Sequence, residues 1–474
     1  MPLVVLFASL PLVLWLGVAA QGVGIYLVAL LPAVVLLRRR AIEKREALLF
    51  VKVGASLVFL FLLFIAANLI ALGKNPQEIL SHAAVVIGVD GVTAGLVRAF
   101  DDTVAKVPQA VMPGDFIGFK ALLSSRFSSA FGVSGLLMVV IGLWALTQQR
   151  RTVAPESSSS FGIDAPSLLW SLFAGVFVAS LLLAVYMVVQ TVTGFDYRSP
   201  TGILAVEHRQ DNGLYRIFGF YGHPLSVAGV ALFWSVMNGW LLGGWLSDRL
   251  NGGTAIAEAI GWRQSAWSRR WLPWVLATTL AVQFLFIVLS GGRTALLAFF
   301  VMAGLLGLRL RLPQRLRRMR WLALFGALPL LSVVLYLSGA LSRFQVAQNK
   351  IEKGAVVDDR FFFWKVHLRM FLDSPWFGQG HAHLEAWVRR AYYLGMDYPR
   401  LAFRKNFPAH NIFLETITDV GVVGTLALVA ILVVMWRLLS AAVRSRPSAR
   451  LLFVIFSWGV VANLLHGLTE NTFF

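Results

Sequence analysis

The sequence predicts an all-α polytopic membrane protein, a bundle of about 11–12 spanning helices with one large polar segment between two of them. Three observations predict it. Hydrophobic residues make up 58% of the 474 and charged residues only 14%, where soluble domains carry about 25% charged residues. The mean hydropathy is +0.73. The apolar residues also gather into runs near the length that crosses a bilayer, about 18 residues or more.

Eleven such runs can be counted, at roughly 3–20, 22–37, 47–72, 128–147, 167–192, 224–246, 271–290, 293–309, 321–339, 411–436 and 450–467. The first 37 residues hold no Lys or Arg. Leu3 to Ala20 has the apolar run of a signal peptide but no basic region before it, and a second run follows at once. A helical hairpin is therefore expected there rather than a cleaved signal. Ser157 to Ser160, after Pro155 and Glu156, reads as a flexible linker. No internal repeat is visible, and the polar 248–268 loop suggests no chemistry.

The connections set the orientation. Clusters of Lys and Arg follow the runs ending near 37, 147, 246, 309 and 436, and together hold 21 basic residues. The opposite connections hold 20, of which 11 lie in the 340–410 segment. Loops longer than about 60 residues translocate largely regardless of charge. Without that segment the contrast is 21 against 9. The clustered side is thus expected to be cytoplasmic, with 73–127 and 340–410 facing outward, the amino terminus inside and, with eleven helices, the carboxyl terminus outside. The net charge of +19 follows from this pattern and does not point to nucleic acid. The chain divides into helices at 1–200 with the outer loop 73–127, helices at 201–339, an outer segment at 340–410 and final helices at 411–474.

Within 340–410, Phe361, Trp364, Leu368, Phe371 and Leu372 follow helical spacing, with Lys365 and Arg369 on another face. This suits a helix lying in the membrane interface, or a small packed cap with its own core. The chain contains no cysteine, which excludes disulfides, thiolate metal sites and a thiol nucleophile. His381 and His383 alternate in a Gly-containing turn, but two ligands do not make a metal site. The pairs Asp101-Asp102 and Asp358-Asp359 would point apart, so no metal is assigned.

Three outward-facing places carry residues suited to chemistry. Ser290-Gly291-Gly292-Arg293-Thr294 is a tight turn between two helices. Arg293 sits at a helix amino terminus, where the macrodipole disfavours a cation, and on the side where Arg is disfavoured. A bound anion offsets both, and a Gly-rich turn presents backbone N–H groups to it. This is favoured over an arginine that merely snorkels to headgroups. Tyr215-Arg216-Ile217-Phe218-Gly219-Phe220-Tyr221-Gly222-His223-Pro224 forms the second place. Its glycines and aromatics suggest a defined re-entrant turn, and composition alone leaves Arg216 open between a ligand and a loop charge.

The third place is His410, after Pro408-Ala409 and before an apolar helix. An imidazole near pH 7 can accept a proton from a hydroxyl. Glu415 and Asp419 share a helix face, about half a turn from the one His410 occupies. They are expected to form a structural ion pair or to orient an arginine rather than to hold His410. His466 is expected to be a hydrogen-bonded core residue.

At this point the residues resemble a known family. Arg216 with Gly219 and His223-Pro224, then Ser290-Gly291-Gly292-Arg293, then Arg360 with Trp364 and Pro375-Trp376-Phe377-Gly378-Gln379-Gly380, then His410-Asn411 followed by Gly421 and Gly424, are similar to the O-antigen ligase and polymerase superfamily. It includes WaaL-type ligases, Wzy-type polymerases and bacterial protein O-oligosaccharyltransferases. The resemblance covers about residues 200 to 430. Leu225 stands where many relatives have Asn, and relatives commonly have twelve helices.

The resemblance implies a GT-C-like membrane glycosyltransferase of the bacterial inner membrane, with its active site facing the periplasm. It implies a glycan donor carried on undecaprenyl pyrophosphate, a lipid or glycan acceptor, and no cofactor or metal. By that similarity Arg216 and Arg293 hold the donor pyrophosphate, His223 and Arg360 join the substrate site, and His410 is the catalytic base. A lipid A core acceptor, hence an O-antigen ligase, is preferred because of the large 340–410 segment. An O-antigen or exopolysaccharide polymerase is the alternative, then a protein O-oligosaccharyltransferase. A secondary transporter would call for inverted repeats and mid-membrane charges, and only Asp419 and His466 are candidates for the latter.

Overall fold

The computed structural model describes residues 165–197, 202–204, 209, 213–219, 223–251, 266–309, 360–379, 392–393, 409–443 and 447–468. They fold into helices α1 (Ala165–Thr193), α2 (Pro224–Asn251), α3 (Ala266–Ser290), α4 (Arg293–Arg309), α5 (Arg360–Asp373), α6 (Ile412–Val443) and α7 (Pro447–Gly467). Among the described residues the extended pairings are two isolated bridges, Phe195 with Ile203 and Arg209 with Tyr215. The fold is all-α, as the sequence predicts.

Six of these helices coincide with predicted runs. By length and composition, Gly175–Thr193, Pro224–Asn251 and Pro273–Ser290 are able to cross a membrane, and Arg293–Leu308 is a shorter apolar helix. The runs expected at 3–20, 22–37, 47–72, 128–147 and 321–339 lie outside the described residues. So do the 73–127 loop, the 157–160 linker, His381, His383 and both aspartate pairs.

The bundle is organised around α2, buried on every side from Val227 through Asn238. A helix that is apolar all round belongs at the centre of a bundle. Helices α3, α4 and α7 pack on it, and α1 packs on α3. Gly459 lets α7 come close: a Cβ there would lie 2.7 Å from the Phe233 ring, and small residues serve this purpose between membrane helices. Trp240, about two turns on from Phe233, stacks on Trp458. Gln283 of α3 accepts from Asn238 of α2 at 2.9 Å and donates to Ser180 of α1 at 3.4 Å. Such interhelical bonds contribute on the order of 1 kcal/mol each. Outside, α1 exposes Leu182, Val185 and Val192, an apolar face suited to lipid.

Helix α6 is broken. Gly421 has φ 63° and ψ −170°, which frees backbone groups on either side. The turn after α5 takes them up. Val422 N–H donates to Pro375 O at 2.8 Å, Val423 N–H to Trp376 O at 3.1 Å, and Gln379 N–H to Thr418 O at 2.8 Å. The backbones approach so closely that a Cβ on Gly421 would lie 2.4 Å from the Trp376 carbonyl. A Cβ on Gly378 (φ +71°) would lie 2.5 Å from that of Asp419. Both positions therefore require glycine. Ser374 Oγ donates to Gly378 O, and Gln379 Nε2 to Met370 O, each at 2.8 Å. Beyond the break, Gly421 to Val443 extends about 34 Å at about 1.5 Å per residue, close to the roughly 30 Å hydrocarbon core.

Helix α5 packs on the first part of α6 through Phe363, Val366, His367 and Met370. Phe361, Leu368 and Leu372 of the predicted apolar stripe face away from that contact, 62%, 51% and 58% exposed, as they would on a helix lying in the membrane interface. The helix has a second apolar face at Phe363, Val366 and Met370 besides that stripe, and the neighbour decides which of the two packs. Thr418 Oγ1 donates to His367 O at 3.2 Å. Tyr393 meets Phe363 edge-on, and the Tyr392 hydroxyl donates to Asp373 at 2.6 Å. Asp373 also pairs with Arg369 at 3.4 Å. Burial first, then the Asp373 hydrogen bond, pushes the Tyr392 phenol well above its ordinary range.

Contacts between helix ends fix which residues share an end of the bundle. Thr191 near the end of α1 accepts the Tyr215 N–H, and Ile217 N–H donates to Leu289 O near the end of α3. His466 near the end of α7 lies 3.5 Å from Leu225 O at the start of α2. Helices α6 and α7 pack together with only residues 444–446 between them, so α6 starts where α7 ends. Arg216, His223, Arg293 and His410 thus lie at one end. Arg249, Arg269, Arg270, Arg309 and Arg450 lie toward the other, the end where the sequence concentrates its basic clusters.

Candidate functional site

The Ser290-Gly291-Gly292 turn is built for close approach. Ser290 Oγ donates to Ile287 O at 2.7 Å and accepts the Gly292 N–H at 3.2 Å. Gly291 has φ +67°, and a Cβ there would lie 3.0 Å from Arg216 Nε. That Nε donates to Ser290 O at 2.9 Å. The structure therefore lays the Arg216 side chain across the turn that leads into Arg293. Arg293 is exposed as the first residue of α4, and among the described residues it makes no hydrogen bond or ion pair. One arginine side chain thus lies against a Gly-rich turn and a second arginine opens the helix that the turn leads into, an arrangement suited to an anion such as a pyrophosphate.

Gln190 supports this turn, and sequence reasoning did not single it out. It is fully buried, and its Oε1 accepts the N–H groups of both Phe218 (2.7 Å) and Gly219 (2.9 Å). It pins the segment that carries Arg216. A buried glutamine in an apolar helix was the available signal, since intramembrane polar side chains have partners or functions.

His223 caps α2. Its Nδ1 accepts the Leu225 N–H at 3.3 Å, and its carbonyl accepts the Ser226 N–H at 3.2 Å. Pro224 follows at the first helical position, where a missing N–H costs nothing. With Nδ1 accepting, the neutral ring carries its proton on Nε2. The side chain is exposed. His466 is fully buried beside Leu225 O, in keeping with the core role expected of it.

His410 is held on both sides. Asn411 caps α6, its Oδ1 accepting the N–H groups of Phe413 and Leu414 at 3.0 Å each. Glu415, one turn in and 2% exposed, reaches back so that its Oε2 accepts the Ala409 N–H at 3.0 Å. Trp364 Nε1 donates to Ala409 O at 2.9 Å. Between these clamped neighbours His410 takes φ 49°, the one positive φ of a non-glycine among the described residues. Left-handed backbone is uncommon for such residues and costs on the order of 1 kcal/mol or more. The ring lies 5.7 Å from that of Phe363, tilted by 30°. Arg360 opens α5 one turn before Phe363 and Trp364 and is half-buried.

The sequence-predicted residues therefore form two groups at one end of the bundle. Arg216 lies against the α3–α4 turn and Arg293 follows that turn, with His223 at the nearby start of α2. His410 sits with α5, which begins at Arg360. Glu415 serves as a cap, a use its sequence position did not suggest, and Asp419 is buried at the break of α6. Among the described residues no three His, Asp or Glu side chains gather as a metal site.

These features define a helical membrane protein with a cationic Gly-rich turn and a constrained histidine at one end. Residues 278–429 match the family model Wzy_C, described as O-antigen ligase. The match supports the O-antigen ligase/polymerase superfamily that the motifs resemble, whose members are glycosyltransferase-like ligases and polymerases. It contains Arg293, Arg360, His410 and the Gly421 break, while Arg216 and His223 precede it. Comparison with curated proteins found no match.

Proposed function

We propose that the protein is a glycosyltransferase of the bacterial inner membrane that moves a glycan from undecaprenyl pyrophosphate to a lipid A core acceptor on the periplasmic side. The observation that carries this reading is the shared end: the Arg216–Arg293 turn and His410 lie together, away from the basic-rich ends of the helices. The leaving group is an anionic pyrophosphate. Arginines can stabilise the charge developing on it bidentately and without losing their own proton, and preorganised cations at a leaving group are a large catalytic term.

In this mechanism the acceptor hydroxyl attacks the anomeric carbon as the bond to the pyrophosphate oxygen breaks. His410 takes the hydroxyl proton, the pyrophosphate departs on its lipid, and direct attack inverts the anomeric centre. Arg360 and His223 border the substrates. The 340–410 segment, which supplies α5 beside His410, favours a ligase over a Wzy-type polymerase. A deletion strain tests this through its lipopolysaccharide. Bare core with lipid-linked polymer accumulating is the expected result, restored by the wild-type chain and not by His410→Ala. Core bearing a single repeat unit would make it a polymerase, and unchanged lipopolysaccharide and exopolysaccharide would remove both readings.

A further inference from the structure

Glu415 stands out because it is an acid buried in an apolar helix that the mechanism above does not use. Its carboxylate accepts the N–H of Ala409, six residues earlier and outside the helix. Asn411 ties the helix start from inside, and Trp364 holds the Ala409 carbonyl, which belongs to the peptide unit leading into His410. Three side chains thus fix the two residues flanking His410. What they fix is a conformation that a histidine does not choose by itself, at φ 49°. Without them the chain at 409–411 would relax toward negative φ. The ring, now 5.7 Å from Phe363, would swing with it.

We propose that Glu415 is a positioning residue for His410: by accepting the Ala409 N–H it holds the left-handed backbone that aims the imidazole at the acceptor hydroxyl. This rests on the reading of His410 as the base. Glutamine keeps an acceptor atom at that point and alanine does not. A misplacement of about 1 Å in a reacting group can cost on the order of 100-fold in rate. The loss falls on kcat, because the donor is held elsewhere, on the arginine turn.

The experiment is transfer from purified undecaprenyl-pyrophosphate-linked glycan by the full-length protein in detergent, with kcat and donor KM measured for each variant. Glu415→Ala should lower kcat by about 10- to 100-fold with donor KM within about twofold. Glu415→Gln should stay within about threefold of wild type in kcat. In a His410→Ala background Glu415→Ala should add nothing, since residues acting through one group are not additive. Overturning results are a Glu415→Ala kcat within about twofold of wild type, a loss carried by donor KM, or no rescue by glutamine. If Glu415→Ala fails to fold, Glu415→Gln decides: kcat within about threefold of wild type supports the inference and a larger loss of kcat overturns it. If His410→Ala itself transfers normally, the base reading falls; if His410→Ala is inactive while Glu415→Ala is normal, only the present inference falls.

Discussion

Gly421→Ala offers a sharp test of the architecture that carries His410. The added Cβ would sit 2.4 Å from the carbonyl carbon and oxygen of Trp376. These are backbone atoms, so no side chain can rotate away. The left-handed φ costs a non-glycine residue about 1–2 kcal/mol. Relieving the clash requires the 374–379 turn to lift, which endangers the three bonds made by Val422, Val423 and Gln379 N–H, each worth about 1 kcal/mol net. The expected loss is about 4–5 kcal/mol, a large share of the roughly 5–15 kcal/mol that holds a protein folded. Gly202→Ala is the control, because its φ is +71° but nothing lies within 4 Å of the added Cβ. It should cost only the backbone term, about 1–2 kcal/mol. Gly378→Ala should resemble Gly421→Ala, and the double variant should fall short of the sum because both open the same lock. Denaturant unfolding of the purified protein in micelles measures all four. A Gly421→Ala protein no less stable than Gly202→Ala would refute the lock.

Other predictions follow from single side chains. Gln190→Leu leaves the buried N–H groups of Phe218 and Gly219 unsatisfied; it should cost about 3 kcal/mol in the same unfolding assay and raise the donor KM by disturbing Arg216. Tyr392 keeps its proton in the folded state well above the ordinary phenol range. The folded chain therefore binds a proton that the unfolded chain releases above about pH 10. Its stabilisation is complete below that pH and declines as pH rises further, so melting curves at pH 8 and pH 11 should show a smaller penalty for Tyr392→Phe at the higher pH. Because the chain lacks cysteine, single substitutions report topology cleanly. His223→Cys should react with a membrane-impermeant maleimide in intact spheroplasts, and Arg249→Cys only after permeabilisation; the reverse pattern would invert the assigned orientation.

Much of this was legible in the sequence because bilayer physics is local. Runs at 167–192, 224–246 and 411–436 declare helices by length alone, and the Gly-rich turn before Arg293 declares a helix start. The motifs at 375–380 and 419–424 were visible as glycine patterns. Their purpose was not, because it lies in a backbone-to-backbone contact between segments some forty residues apart. The packed face of α5 was hidden because the helix has two apolar faces and only its neighbour selects between them. Glu415 was expected to serve an ion pair or an arginine rather than to hold His410, but its carboxylate accepts the N–H of Ala409, and a backbone group leaves no trace in a residue-type pattern. The left-handed conformation of His410 was not legible either, since only a small share of histidines adopt positive φ.

The central claim is a division of labour between the arginine turn and the histidine, and binding and transfer measured separately on the purified protein test it most directly. His410→Ala should bind undecaprenyl-pyrophosphate-linked glycan within about twofold of wild type and lose transfer by on the order of 100-fold or more, the scale of general-base catalysis. Arg293→Ala should lose donor binding as well as transfer, and EDTA should change neither. His410→Ala that transfers at the wild-type rate, or Arg293→Ala that binds and transfers the donor normally, would contradict the account.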